Sequence, residues 1–312
     1  MLETLQVTAS DNKPITTHYW CEQEKPKAII QIVHGMSEHS LRYDHVAKYL
    51  LPHGYAVFAN DHRGHGKTAE SQDKGHYADH DGWNLIIQDL FQVRETIQEK
   101  YPNIPVFMLG HSMGSFMTQQ YMIRHGQNLR GVILSGSNYG SSSFMQAARL
   151  LPWLESQRIG PRGKSTFLDT ISFGSFNKEF KPVRTTCDWL SRDPEEVDKY
   201  LSDPQCGFLC TNQLWIDFLG GLSQIFDKEN QKLIPHELPV LIMGGSKDPV
   251  SKGNGLRKLE RSLKEAGVKS VDCKIFEGAR HEIFNESNKT EVLDHMLNWL
   301  EGTMKVSQKI AS

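Results

Sequence analysis

Short apolar runs rich in Val and Ile recur along the chain at 28–35 (AIIQIVHG), 55–61 (YAVFAND), 106–112 (VFMLGHS), 131–136 (GVILSG), 240–245 (VLIMGG) and 271–276 (VDCKIF). Runs this short without alternation predict strands buried on both faces of a parallel sheet. Between them apolar residues fall every three or four positions, as in Trp83, Ile86, Leu90, Val93 and Ile97, or Leu293, Met296, Leu297 and Leu300. Each set makes one stripe along a helix. Strands alternating with such helices predict an α/β fold, a mostly parallel central sheet with helices on both faces. LETLQVTA and ITTHYW instead predict an antiparallel hairpin that turns at Asp11–Pro14.

The alternation stops between about Asn138 and Glu237. Structureless loops beyond ~12–15 residues are uncommon in compact domains, so this stretch predicts an inserted, mostly helical cap. The expected organisation is a core in two parts, 1–137 and 238–312, around a cap at 138–237.

Composition narrows the function classes. Of the 312 residues 38% are hydrophobic and 23% charged, with six Trp, which suits one globular body with a real core. A net charge of -2 without a basic block gives no footprint for nucleic acid. No apolar run reaches the ~18 residues of a membrane span, and residues 1–25 lack the pattern of a signal peptide. The expected location is the cytosol, with transient contact at a membrane surface through the cap left open. Five scattered cysteines fit reduced thiols, and the lone pair Cys206 and Cys210 lacks the second ligand pair of a closed zinc site.

Gly110-His111-Ser112-Met113-Gly114 matches G-x-S-x-G between a strand and a helix. A serine on so sharp a turn needs small neighbours two residues either side, and the following helix brings N–H groups and a positive dipole to developing charge. A serine hydroxyl needs a base, and the base an orienting acid, in the chain order Ser, Asp, His for this fold. Asp248 (GGSKDPVS) and His281 (EGARHEIFNE) follow late strands in that order. Asp61 and Asp217 are the rival acids, but neither stands at a strand end between nucleophile and base. The oxyanion is expected to meet the backbone N–H groups of Met113 and Met36, the latter on the turn His34-Gly35-Met36. His62 and His65 read as loop-ordering residues near the site. His76 and His80, flanked by glycines, read as a solvated loop and not as metal ligands.

With these residues placed, the chain resembles the monoacylglycerol lipase and lysophospholipase group of α/β-hydrolases, in a bacterial-type version. The resemblance rests on 34–68 (HGMSEHSLRYDHVAKYLLPHGYAVFANDHRGHGKT), LGHSMGS, MGGSKDPVS and EGARHEIFNE. It implies a helical cap over an acyl tunnel, monoacylglycerols or lysophospholipids as substrates, and no metal or organic cofactor. It also implies that Glu38 and Arg42 line a polar, glycerol-binding end, with an ion pair that merely holds the loop as the plainer reading. Phe284 stands where glycerol-binding members can carry a polar His, so the resemblance implies an ester hydrolase and leaves its head group open. In the cap, Leu150, Leu151, Trp153 and Leu154 with Trp215, Phe218, Leu219 and Phe226 form an apolar set suited to a tunnel or an exposed patch. The alternatives are a short-chain carboxylesterase or aminopeptidase on the same three residues, or a ligand-binding protein without chemistry.

Overall fold

The computed structural model describes residues 2–251 and 254–310. Its eight strands are β1 (Leu2–Thr8), β2 (Pro14–Trp20), β3 (Ala28–Val33), β4 (Tyr55–Asn60), β5 (Val106–His111), β6 (Gly131–Ser135), β7 (Val240–Gly245) and β8 (Val271–Phe276). They form one sheet in the order β1-β2-β4-β3-β5-β6-β7-β8. The β1–β2 and β2–β4 pairings are antiparallel and the rest parallel. The fold is therefore the expected α/β class. The first hairpin turns at 9–13, where the Ala9 N–H donates to the Lys13 carbonyl at 2.9 Å and Asn12 takes a positive φ of 66°.

The outer layers follow from the pleat, which sends successive side chains to opposite faces. Ile29, Ala56, Phe58, Val106, Met108, Val240 and Ile242 pack on one side, against α2 (Gly82–Lys100) and α3 (Met113–His125). Ile30, Ile32, Val57, Ala59, Phe107, Leu109, Leu241 and Met243 pack on the other, against α1 (Asp44–Leu50) and a helix at Lys289–Ile310. Strands β3 to β7 are buried at every position. Strand β8 departs from the sequence expectation: as the sheet edge it is buried only at Val271 and Phe276, with Asp272 exposed.

Between β6 and β7 the chain forms six α-helices, α4 (Ser142–Ala148), α5 (Leu150–Ile159), α6 (Thr166–Phe173), α7 (Pro194–Ser202), α8 (Asn212–Ile225) and α9 (Lys228–Gln231). The helix α10 (Gly255–Glu265) follows β7, and α11 is the helix at Lys289–Ile310. The apolar set of this segment divides in two. Trp215, Phe218 and Phe226 join the main core, whereas Leu150, Leu151, Trp153 and Leu154 stay 43–57% exposed. Among the described residues no helix is long and apolar enough to cross a membrane.

Candidate active site

Ser112 sits between β5 and α3 at φ 52°, ψ −121°, a region a non-glycine residue enters only under strain of roughly 1–3 kcal/mol. The flanking glycines make the turn feasible. A Cβ on Gly114 would lie 2.0 Å from the Val33 carbonyl oxygen, and one on Gly110 2.5 Å from the Gly114 carbonyl oxygen. The turn is thus pressed against the end of β3.

The structure brings Ser112, His281 and Asp248 together. His281 Nε2 stands 2.9 Å from Ser112 Oγ, and His281 Nδ1 2.9 Å from Asp248 Oδ1. With the proton on Nδ1, the ring donates to the carboxylate and accepts from the serine hydroxyl. Asp248 Oδ1 also accepts from the Val250 N–H at 2.9 Å, so its orientation is held from the backbone. Both His281 (2% exposed) and Asp248 are buried. Burial opposes protonation of His281, but the Asp248 charge and hydrogen bond outweigh it and raise the imidazole pKa above its ordinary value. The His281 loop is fastened to the β6–β7 segment: the Glu282 N–H donates to the Leu190 carbonyl at 2.8 Å, and the Trp189 ring lies 5.1 Å from the His281 ring.

Opposite lies the loop after β3. Met36 lines the same cavity as Ser112, and Met113 opens α3, where helix N–H groups have no acceptor four residues back. The loop is braced by imidazoles. His34 accepts from the His62 N–H at 3.0 Å and pairs through Nδ1 with the Gly35 carbonyl at 2.8 Å, while His62 Nε2 donates to the His34 carbonyl at 3.2 Å. Burial lowers the pKa of His62 to about 3 and of His65 to about 4, so both are neutral donors and acceptors here. Their expected loop-ordering role matches these contacts.

Glu38 and Arg42 meet in a buried network. Glu38 accepts from the Gly35 N–H at 2.5 Å and the Tyr43 hydroxyl at 2.9 Å, and binds Arg42 Nη1 at 2.7 Å. Arg42 reaches on to Glu282 with two bonds of 2.7 Å. Although burial would raise the Glu282 pKa, Arg42 holds it down at about 2. Glu38 and Glu282 line the cavity, while Arg42 lies behind them. Sequence reasoning missed Glu282, although it directly follows the proposed base. Removing Arg42 would leave two carboxylates buried together, which typically costs about 3–5 kcal/mol. Arg42→Ala is accordingly expected to lose on the order of 3 kcal/mol of unfolding free energy in a urea titration; an unchanged midpoint would discount the network.

Phe284 corrects the sequence expectation. It is 3% exposed and packs with Tyr43, Ile283 and Leu293 in the core beneath the sheet, not in the cavity wall. The short turn Ile283–Asn285 aims it inward, and only its carbonyl is used, accepting from His45 Nε2 at 2.9 Å. The rival acids are engaged elsewhere: Asp61 accepts from the Ser40 N–H and Oγ and from the Lys67 N–H, and Asp217 pairs with Gln213 on α8. His76 is buried in its loop, on Thr211 and Asp79, and not solvated as expected.

The cavity above Ser112 has a volume of about 340 Å³. Its floor is Gly35 to Glu38, His111 and Ser112. Its walls come from the β6–β7 segment, chiefly Phe173, Trp189, Leu190, Tyr200 and Phe208, with Asp169 and Cys187 among them.

Comparison with known proteins gives the family and the fold. The family model Hydrolase_4, described as serine aminopeptidase S33, matches residues 24–288. The chain belongs to this family. Rat monoglyceride lipase is 28% identical over 306 residues, covering 96% of this chain and 90% of that protein. The monoglyceride lipase homolog of Monkeypox virus is 30% identical over 300 residues, 95% of this chain and 97% of that one. A thermostable carboxyl esterase from Bacillus coagulans, solved with glycerol, superposes with a TM-score of 0.88 at 29% identity, covering 97% of this chain and 99% of the other. This Hydrolase_4 member is a carboxylic ester hydrolase of the α/β-hydrolase fold.

Proposed function

We propose that the enzyme hydrolyses esters of monoacyl lipids through an acyl-enzyme on Ser112. The observation that carries this reading is the unbroken hydrogen-bonded chain from Ser112 Oγ through His281 to Asp248, at the floor of a cavity with apolar walls. Ser112 Oγ attacks the ester carbonyl as its proton passes to His281 Nε2, and Asp248 stabilises the imidazolium. The backbone N–H groups of Met36 and Met113 receive the oxyanion, each contributing about 3–4 kcal/mol to lowering the barrier. Collapse breaks the carbonyl–alkoxy bond, and His281 returns the proton to the departing alcohol. Water then attacks the acyl-enzyme with His281 again as base, releasing the fatty acid and restoring Ser112.

The segment from 138 to 237 acts as the cap. Phe173, Trp189, Leu190 and Phe208 accept the acyl chain, whose burial is worth about 0.8 kcal/mol per CH₂. The cavity lining presents Glu38, Glu282 and Asp169, and among the described residues no Lys or Arg side chain. Such a wall favours a neutral head group such as glycerol over an anionic glycerophosphate. The peptidase reading suggested by the family description requires a free carboxylate for an α-amino group, whereas Glu38 and Glu282 are both engaged by the one guanidinium of Arg42, a trio that stays net negative. The exposed Leu150, Leu151, Trp153 and Leu154 would meet the lipid surface that delivers the substrate.

A panel of monoacylglycerols, lysophospholipids, short chromogenic esters and an amino-acid anilide, with lipids presented both dispersed and in vesicles, tests this reading. The expected order in kcat/KM is monoacylglycerol above lysophospholipid, with the anilide slowest and vesicles accepted as a source. Preference for the anilide or for acetyl esters would overturn the lipid reading, and inactivity on vesicles would remove the surface contact.

A further inference from the structure

Away from the Ser112 cavity, three ligand-type side chains from distant parts of the chain converge. His39 follows Glu38 on the loop after β3, whereas Asp203 and Cys206 follow α7 in the β6–β7 segment. His39 Nε2 lies 2.8 Å from Asp203 Oδ2, and the ligand atoms of all three residues fall within 4.8 Å of one another. His39 and Cys206 are 7% and 9% exposed, while the Asp203 side chain is 31% exposed and leaves a way in from solvent. Metal bonds of ~2.0–2.3 Å to N, O and S, arranged tetrahedrally, require ligand atoms a little over 3 Å apart. From a spread of at most 4.8 Å, ligation requires the side chains to close to that spacing.

We propose that His39, Asp203 and Cys206 form a binding site for a zinc-class divalent ion, with an imidazole nitrogen, a carboxylate oxygen and a thiolate as ligands and water completing the tetrahedron. A histidine–aspartate hydrogen bond accounts for two of the residues and packing against Leu190 and Tyr200 for the burial of the third, but the convergence of all three ligand atoms at one solvent-reachable point is what a metal site requires. The nearby Arg42 does not bar a cation, because its guanidinium is bonded to both Glu38 and Glu282. Burial pushes the Cys206 thiol up, so it is protonated before the metal arrives. On binding, the S–H bond breaks, the proton leaves to solvent and the sulfur electron pair forms the metal bond. Cys210 takes no part: its sulfur lies 3.7 Å from Ser37 Oγ and is buried in the core. The two cysteines of the C-x-x-x-C sequence thus separate, and Cys206 finds its partners through the fold.

An ion here would fasten the β6–β7 segment to the loop that carries Met36. That junction already holds hydrogen bonds from the Gly207 N–H (2.9 Å) and the Tyr200 hydroxyl (3.2 Å) to the Ser37 carbonyl.

The test is titration of the full chain with zinc against a chromophoric chelator, and with cobalt(II) in the ultraviolet. The site predicts one ion per chain and a thiolate-to-cobalt charge-transfer band. Both are expected to be lost or weakened on the order of 100-fold in Cys206→Ser and in His39→Gln, and unchanged in Cys210→Ser, Cys187→Ser and Ser112→Ala. Circular dichroism of the metal-free variants confirms that each is folded, and the near-isosteric Cys206→Ser carries the decision if His39→Gln is not. Absence of stoichiometric binding overturns the site, as does binding that survives Cys206→Ser or disappears in Cys187→Ser.

Discussion

Ser112→Ala is expected to lower kcat on a chromogenic ester by roughly 10⁴–10⁶-fold, with the melting temperature close to that of the parent. The variant keeps the turn, since alanine sits at φ 52° no worse than serine, and deletes only the oxygen that His281 Nε2 approaches at 2.9 Å. No other hydroxyl lies at that nitrogen among the described contacts, so no acyl-enzyme can form. The residual rate measures what the cavity and the backbone donors achieve with water alone. Steady-state kinetics on parent and variant decide the matter, and a variant that keeps a tenth of the parental rate would exclude Ser112 as the nucleophile.

Asp248→Asn is expected to cost about 10⁴-fold in kcat, because an amide at Oδ1 no longer fixes the Nδ1–H tautomer nor stabilises the imidazolium. The same substitution should move the pH profile. His281 acts as base only when neutral, so the rate falls as pH drops through its pKa. In the parent that pKa is raised by Asp248 against the opposing effect of burial, which places the acidic limb of kcat/KM above the ordinary ~6.5 of histidine. Without the carboxylate charge, burial prevails and the limb moves to lower pH. An acidic limb that stays in place in Asp248→Asn would show that another group titrates there.

The sheet was legible because its strands obey a local rule. β3 to β7 are short, mostly apolar and buried on both faces, and they contain few polar residues. Ser112, Asp248 and His281 were legible for a different reason: each occupies a strand end whose turn imposes its own residue demands, most sharply Gly114 against Val33. The cavity walls were not. Phe173, Trp189, Tyr200 and Phe208 come from a long irregular segment whose path is fixed by distant contacts, such as Arg280 on the Asp188 and Ser191 carbonyls and Arg192 on Glu286. No periodicity reports such contacts. Phe284 was misplaced because a single turn of 3₁₀ helix decides whether its ring faces the cavity or the core. Glu282 was passed over because its meaning depends on Arg42, 240 residues away in sequence. The apolar residues of the segment read as one set, yet Trp215 and Phe218 bury themselves while Leu150 and Trp153 do not, a division that packing alone decides.

The most direct measurement is mass spectrometry of the enzyme after reaction with a fluorophosphonate. One phosphonyl group is expected per chain, located on the peptide bearing Ser112 and formed far more slowly in His281→Ala. A phosphonyl group on any other residue, or an unmodified Ser112 in folded enzyme that still hydrolyses ester, would contradict the account.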